Sequence, residues 1–188
     1  MSWRGGLAGT VDDRTQAAAG LWPRSLAFAL DLVPIAVYLA ALAAVGLTVS
    51  VLLPSLSETL FGGPLVAEVF GFVTLTLPVI VYFALSESST WQASWGKKRM
   101  NLVVADMSGN RIGLARSMLR STLKFVPWEL AHFFVWRISF SSDPSSSVYA
   151  WGFGAVWLLV GANVVAMVVT TRKRTVYDVA AGTVVVKE

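Results

Sequence analysis

The chain has 188 residues, of which 55% are hydrophobic and only 14% are charged, whereas about 25% of residues are charged in an average soluble domain. This composition excludes an ordinary soluble globule, and it also excludes a disordered chain, which would be poor in apolar residues. With no cysteine and one histidine, His132, the chain cannot form a disulfide, a zinc–thiolate centre or a multi-histidine metal site. We therefore expect a membrane protein without a metal or cofactor, and we interpret its formal charge of +4 first through membrane topology.

Three long apolar segments predict membrane-spanning helices, since about 20 residues are enough to cross the hydrocarbon core. The first segment covers about residues 25–53 and contains a single charged residue, Asp31. The second covers about 64–85 with only Glu68 near its start, and the last covers about 148–171 without any charge. We expect all three to span the bilayer.

The segment 126–140 is shorter and contains charged side chains, so hydropathy alone leaves it between a span and a buried or interfacial helix. The distribution of positive charge favours a span, because Lys and Arg concentrate in cytoplasmic loops. If 126–140 crosses, fourteen of the fifteen Lys and Arg residues lie on one side, and only Arg137 lies on the other. If it does not cross, the basic cluster 172–174 faces outward.

The expected fold is therefore an all-α membrane protein with a four-helix transmembrane bundle, a cytoplasmic amphipathic helix and a short membrane-associated C-terminal tail. Residues 1–20 form a cytoplasmic N-terminal segment, 21–186 the transmembrane domain and 187–188 the end of the tail. We expect a multi-pass protein of the plasma (inner) membrane with both termini in the cytoplasm.

The largest polar stretch, residues 87–125, is predicted to be a cytoplasmic loop with a short β-type run at 101–106. Residues 113–125 then have apolar side chains at helical spacing, which predicts an amphipathic basic helix. Its cations recur every four residues along one face: Arg116, Arg120 and Lys124. These side chains either contact anionic lipid headgroups or act as a positive-inside anchor without lipid selectivity.

Charged residues inside spans are costly, so each needs a partner or a water-filled cavity. Asp31 lies two helical turns after Arg24, on the same face of the first span, which predicts a polar pocket in the cytoplasmic leaflet. The apolar tail 175–186 is too short to span and should lie along the membrane or pack under the bundle. There its Asp178 would meet Arg24 or the basic helix and stay ionised.

Glu129 and His132 are three residues apart and therefore face the same way on a helix. This spacing suits a proton relay, because histidine titrates near neutrality. It equally suits an intrahelical pair that forms hydrogen bonds across the bundle. Asn163, in the middle of the last span, is better explained as an interhelical hydrogen-bonding residue than as a substrate ligand.

Several of these segments together resemble the RDD family of multi-pass membrane proteins, over about residues 21–186. They are Trp22-Pro23-Arg24-Ser25-Leu26-Ala27 with Asp31-Leu32, then Gly96-Lys97-Lys98, Val103 to Gly109 and Arg120, and finally the closing stretch Thr175 to Val186. The resemblance implies that Arg24, Asp31 and Asp178 are the arginine and two aspartates that give the family its name. It also implies an activity, since cation/proton antiport has been proposed for the family. Tyr177 departs from the pattern, because a histidine often precedes the last aspartate.

Two functions remain open. In the first, the protein transports a small solute, such as a monovalent cation exchanged for protons, with Asp31 and Asp178 binding the ion; four helices then need a second copy, which predicts a homodimer. In the second, it is a non-transporting scaffold or accessory subunit in which the trio is a structural clamp. No nucleophile elbow, P-loop or metal-ligand motif is present, so we expect no enzyme. Topology accounts for the basic residues, so we expect the lipid bilayer rather than nucleic acid as partner.

Overall fold

The computed structural model describes residues 17–188. Residues 1–16, most of the predicted cytoplasmic N-terminal segment, lie outside this described range. Long helices form a bundle: α1 (Leu21–Leu52), α3 (Pro64–Gly71) continued by a π-helical turn (Phe72–Thr76) and α4 (Leu77–Ser88), α6 (Leu114–Ser139) and α7 (Ser147–Val169). The shorter elements are α2 (Pro54–Phe61), α5 (Trp95–Arg99), β1 (Leu102–Asp106), α8 (Val176–Ala180) and β2 (Thr183–Lys187).

Three helical segments within the described range are long and apolar enough to cross a membrane: Leu21–Leu52, Pro64–Ser88 and Ser147–Val169. Their apolar side chains are largely exposed on the outside of the bundle, for example Val37, Leu158 and Val168. In water this surface would be unfavourable, whereas hydrocarbon solvates it. The predicted class, a helical membrane protein, is confirmed.

Helix α6 differs from the sequence-based expectation, which divided it into an amphipathic helix and a separate segment. It is one continuous helix of 26 residues with Pro127 in its interior, about 39 Å long. It packs against both α4 and α7, so the basic segment is the first half of a bundle helix and not an element of its own. The length suits a fourth crossing, which remains a prediction.

The π-helical turn between α3 and α4 follows from Pro78. Proline lacks an amide hydrogen and its ring crowds the carbonyl four residues earlier, which here is that of Thr74. The hydroxyl of Tyr38 on α1 donates a hydrogen bond of 2.5 Å to this carbonyl. The carbonyl of Thr74 thus has a hydrogen-bond donor inside the bundle, as hydrocarbon requires.

One end of the bundle carries a small mixed layer, which we call the polar-end layer: residues 17–19, α5, β1, α8 and β2. Here β1 and β2 pair in antiparallel register, with Val104 opposite Val185, and the amide of Ala19 donates to the carbonyl of Val185 at 2.9 Å. The β-type run predicted before the turn is therefore confirmed as β1. The tail, predicted to lie along the membrane or pack under the bundle, supplies the second strand.

Two apolar clusters hold these parts together. The cluster that joins the polar-end layer to α1 comprises Ala19, Ala27, Leu102, Val104, Ile112 and Val185, all nearly inaccessible. The cluster inside the bundle comprises Val79, Ile80, Phe83 and Phe125 and joins α4 to α6.

Candidate functional site: a buried ion network

Asp178 lies fully buried at the start of α8, where Thr175 begins the helix with a capping box. Its Oδ2 accepts a hydrogen bond of 2.6 Å from Nη1 of Arg24, and its Oδ1 accepts one of 2.9 Å from Nε of Arg120. The predicted contacts of Asp178 with Arg24 and with the basic helix are therefore both present. Burial raises the pKa of Asp178, but the two guanidinium groups outweigh this effect and hold the pKa below its usual range.

Arg120 extends the network into the bundle. It is 1% exposed, and its Nη1 donates to Oε2 of Glu87 on α4 while its Nε holds Asp178. Lys97 of α5 completes the arrangement through a bond of 2.7 Å from Nζ to Oε1 of Glu87. The prediction of Arg120 as a headgroup contact is therefore corrected, because its guanidinium binds two buried carboxylates.

Asp31 occupies a separate buried position and does not bind Arg24. Its Oδ1 accepts hydrogen bonds from the hydroxyl of Tyr82 at 3.0 Å and from the amide of Gly96 at 2.7 Å. Its Oδ2 accepts a hydrogen bond of 2.6 Å from the hydroxyl of Ser94. The carboxylate therefore joins α5 to the first third of α1 through neutral donors. The sequence had instead predicted that Asp31 shares a pocket with Arg24.

The other two cations predicted to contact headgroups lie in different environments. Arg116 is exposed, and its Nη1 lies 3.9 Å from Oδ2 of Asp106. The ammonium of Lys124 lies 3.4 Å above the ring centre of Phe83 and 4.8 Å from that of Phe28. Among the described residues it has no hydrogen-bond acceptor, and it lines a cavity beside α1.

Glu129 and His132 lie apart from this network, beside the π-helical turn. Oε2 of Glu129 accepts a hydrogen bond of 2.5 Å from the hydroxyl of Thr76 and lies 3.9 Å from Nδ1 of His132. Glu129 and His132 therefore lie on one face of α6, as predicted, and Glu129 also accepts a hydrogen bond from the neighbouring helical segment. Further along α6, Nη2 of Arg137 lies 3.2 Å from Oε2 of Glu68.

Asn163 does not join two helices as predicted. Its Nδ2 donates to the carbonyl of Leu159 on its own helix at 2.9 Å, and its Oδ1 has no donor among the described residues. The side chain lines the same cavity as Lys124.

Sequence reasoning missed three members of the site: Glu87, Lys97 and Ser94. Glu87 lies just beyond the predicted second span, where a charged residue needs no special explanation. Lys97 was named in the Gly96-Lys97-Lys98 segment of the family resemblance and counted as a loop cation, but no carboxylate partner was predicted for it. For Glu87 and Lys97 a signal was available. They are close along the chain, so a single turn can bring both side chains to the base of α4.

The fold and this site together define a class: a multi-pass helical membrane protein whose polar-end layer is fixed to the bundle by buried arginine–carboxylate pairs. A profile of the RDD family matches residues 18–182. The chain therefore belongs to the RDD family. No curated protein and no solved structure matches the chain significantly.

Proposed function

We propose that the protein is a non-transporting scaffold or accessory subunit of the plasma membrane, whose polar-end layer faces the cytoplasm and is held rigid by the charged trio. The observation that supports this is the saturation of both aspartates. Each oxygen of Asp31 and of Asp178 already accepts at least one hydrogen bond, and both side chains have 0% exposure. A carboxylate that binds and releases an ion needs free lone pairs and a polar path.

The clamp joins elements that are far apart in sequence. Arg24 is near the start of α1, Arg120 is in the first half of α6, and Asp178 is in α8, so one carboxylate connects three elements of the fold. Asp31 attaches α5 in addition. A layer fixed in this way presents a constant surface to another protein, which is what an accessory subunit requires.

A flux measurement tests the proposal. The purified protein is reconstituted in liposomes that contain a pH-sensitive dye, and gradients of Na⁺, K⁺ and Li⁺ are imposed in turn. We expect no cation-dependent proton flux from correctly inserted protein. Thermal unfolding of Asp31→Asn should show a loss of stability. The Asn side-chain NH₂ is a donor and would face the hydroxyl and amide groups that donate to Asp31. Glu58→Gln, an exposed carboxylate in α2, is the matched control for both measurements.

A second candidate function, cation/proton antiport, rests on a different place in the molecule. Glu129 bonds to Thr76, the last residue of a π-helical turn, and such turns occur frequently at functional sites. Its side chain is 29% exposed, unlike those of Asp31 and Asp178. An antiporter built on this chain would therefore carry protons at Glu129 and His132, with the trio as its structural support.

The same liposomes separate the two candidates. Proton flux that depends on the cation, persists in Glu58→Gln and disappears in a folded Glu129→Gln variant would replace the scaffold with the antiporter. Flux that is lost only in a folded Asp31→Asn variant would instead restore the trio as the ion site. Absence of flux for all three ions supports the scaffold, whose binding partner can then be identified by crosslinking in native membranes.

A further inference from the structure

A cavity of about 470 Å³ lies beside the ion network, between α1, α6 and α7, within the range of about 300–1,000 Å³ typical of ligand pockets. Its two ends differ in chemistry. The polar end is formed mainly by Arg24, Lys97, Arg120 and Lys124. The rest of the wall is mostly apolar and includes Phe28, Phe125, Val156, Val160, Val164 and Met167.

The polar end of this cavity carries more positive than negative charge. Arg24, Lys97 and Arg120 are paired with two buried carboxylates, those of Asp178 and Glu87, whereas Asp31 is bonded only to neutral donors. The amino group of Lys124 is therefore without an anionic partner among the described residues, and a positive charge there is costly inside a membrane protein.

The excess charge can be traced to particular atoms. The ammonium of Lys124 lies near the rings of Phe28, Phe83 and Phe125 and has no hydrogen-bond acceptor among residues 17–188. Arg24 is 9% exposed, and its Nη2 is buried without a partner in the described chain, although Nη1 and Nε are both bonded. Both side chains line the cavity. Together they offer a cationic group and a free guanidinium donor to an anion.

The apolar part of the cavity faces the lipid side of the bundle. Helix α7 packs on α6, whereas α1 packs on α5 and α2 and has no extensive contact with α7. Val160 and Val164 on α7 are both exposed, so the space between α1 and α7 is open sideways. A hydrocarbon chain can enter by this route from the bilayer, while a small soluble anion would leave the apolar wall uncovered.

We propose that this cavity binds one anionic phospholipid taken up laterally from the bilayer. The phosphate is held by Lys124 and by Nη2 of Arg24, and an acyl chain lies along Val156, Val160 and Val164. A phosphodiester carries a single negative charge and hydrogen-bond acceptors, which match the unpaired charge and the free donor. The bound lipid then fills the space between α1 and α7.

Native mass spectrometry of the full chain, released from mild detergent with defined lipids, tests the proposal. We expect one phosphatidylglycerol to remain bound, with phosphatidylcholine retained at least tenfold less. Lys124→Gln should lower phosphatidylglycerol retention at least tenfold. Val160→Trp, which fills the apolar wall without changing the charge, should lower it similarly. Arg116→Gln, a surface cation outside the cavity lining, is the control and should bind like the wild type.

Several outcomes would overturn the proposal. Equal lipid retention by Lys124→Gln and the wild type would show that the lipid does not bind in the cavity. A loss in Arg116→Gln as large as in Lys124→Gln would show that the lipid binds to the basic surface at headgroup level. Displacement of the lipid by millimolar inorganic phosphate would identify a site for a free anion instead. Far-UV circular dichroism and size-exclusion chromatography identify any variant that fails to fold, and Val160→Trp keeps the test decisive if Lys124→Gln does so.

Discussion

At the scale of single residues, Arg120 decides the character of the site. A charged group taken out of water loses several kcal/mol of solvation, which is regained only if its partners are close and its donors are filled. Arg120 meets this requirement with Glu87 on one side and Asp178 on the other. Removing either carboxylate therefore leaves a buried positive charge without compensation.

Substitution of Asp178 by Asn should accordingly be among the most damaging single changes in the chain. The amide keeps one acceptor but loses the charge that compensates Arg24 and Arg120, and breaking such a buried pair costs about 3–5 kcal/mol. Titration with SDS in mixed micelles measures the free energy of unfolding. Glu58→Gln, a change of the same kind at an exposed site, should stay within about 0.5 kcal/mol of the wild type. Equal effects from both variants would contradict a structural role for the pair.

The lowered pKa of Asp178 also predicts how stability depends on pH. Because the folded-state pKa lies below the unfolded value of about 4, the unfolded chain takes up the proton first as pH falls. The contribution of Asp178 is therefore fully present above about pH 5 and decreases progressively toward more acidic pH. The unfolding midpoint measured from pH 7 to pH 3 should decrease less steeply in Asp178→Asn than in the wild type. Parallel profiles would show that Asp178 does not titrate in this way.

At the scale of elements, a close approach between α5 and α1 positions Asp31 against its donors. A Cβ atom placed on Gly96 would lie 2.0 Å from the carbonyl oxygen of Ala27 and 2.9 Å from the amide nitrogen of Asp31. Only glycine permits this distance between the two backbones. The bond from the Gly96 amide to Asp31 depends on it.

Replacement of Gly96 by Ala should thus separate α5 from α1 and weaken all three hydrogen bonds to Asp31. We expect a loss of about 2–4 kcal/mol in unfolding free energy, as for other overpacked or broken buried sites. Gly161→Ala in α7 is the matched control, since a Cβ there meets nothing within 4 Å and should change stability little. The result to measure is the difference between the two midpoints in thermal unfolding; if Gly161→Ala were equally harmful, the close contact would not be the cause.

Local patterns predicted some elements and not others, for physical reasons. Long apolar runs predicted α1, the segment from α3 to α4, and α7, because the length and hydropathy of a run identify a span without reference to other elements. In α6, charged side chains divided one helix into two predicted segments, because the buried carboxylates that bind Arg120 lie on other elements. The pairing of β1 with β2 joins Leu102 to Lys187, and no local signal carries such a distant contact.

At the scale of the whole molecule, charge is divided between two ends. The polar-end layer holds the buried network and the basic segments, whereas at the other end Arg137 is paired with Glu68. Phe61 and Trp136, with ring centres 6.2 Å apart, place the end of α2 beside the end of α6. This arrangement predicts that the loops 53–63 and 140–146 share one face of the membrane, and that the turn 107–110 shares the other with residues 170–175.

Single cysteines test this topology cleanly, because the chain contains no native cysteine. Four exposed, uncharged positions leave the charge distribution intact: Ser55→Cys, Ser108→Cys, Ser142→Cys and Thr171→Cys. In intact cells, a membrane-impermeant maleimide should label the cysteines at 55 and 142, and it should reach those at 108 and 171 only after the membrane is opened. The positive-inside rule supplies this direction, since the basic segments adjoin positions 108 and 171. If α6 lay on the surface instead of crossing, position 142 would be protected with 108 while 171 became accessible, so the same four variants also decide the number of spans.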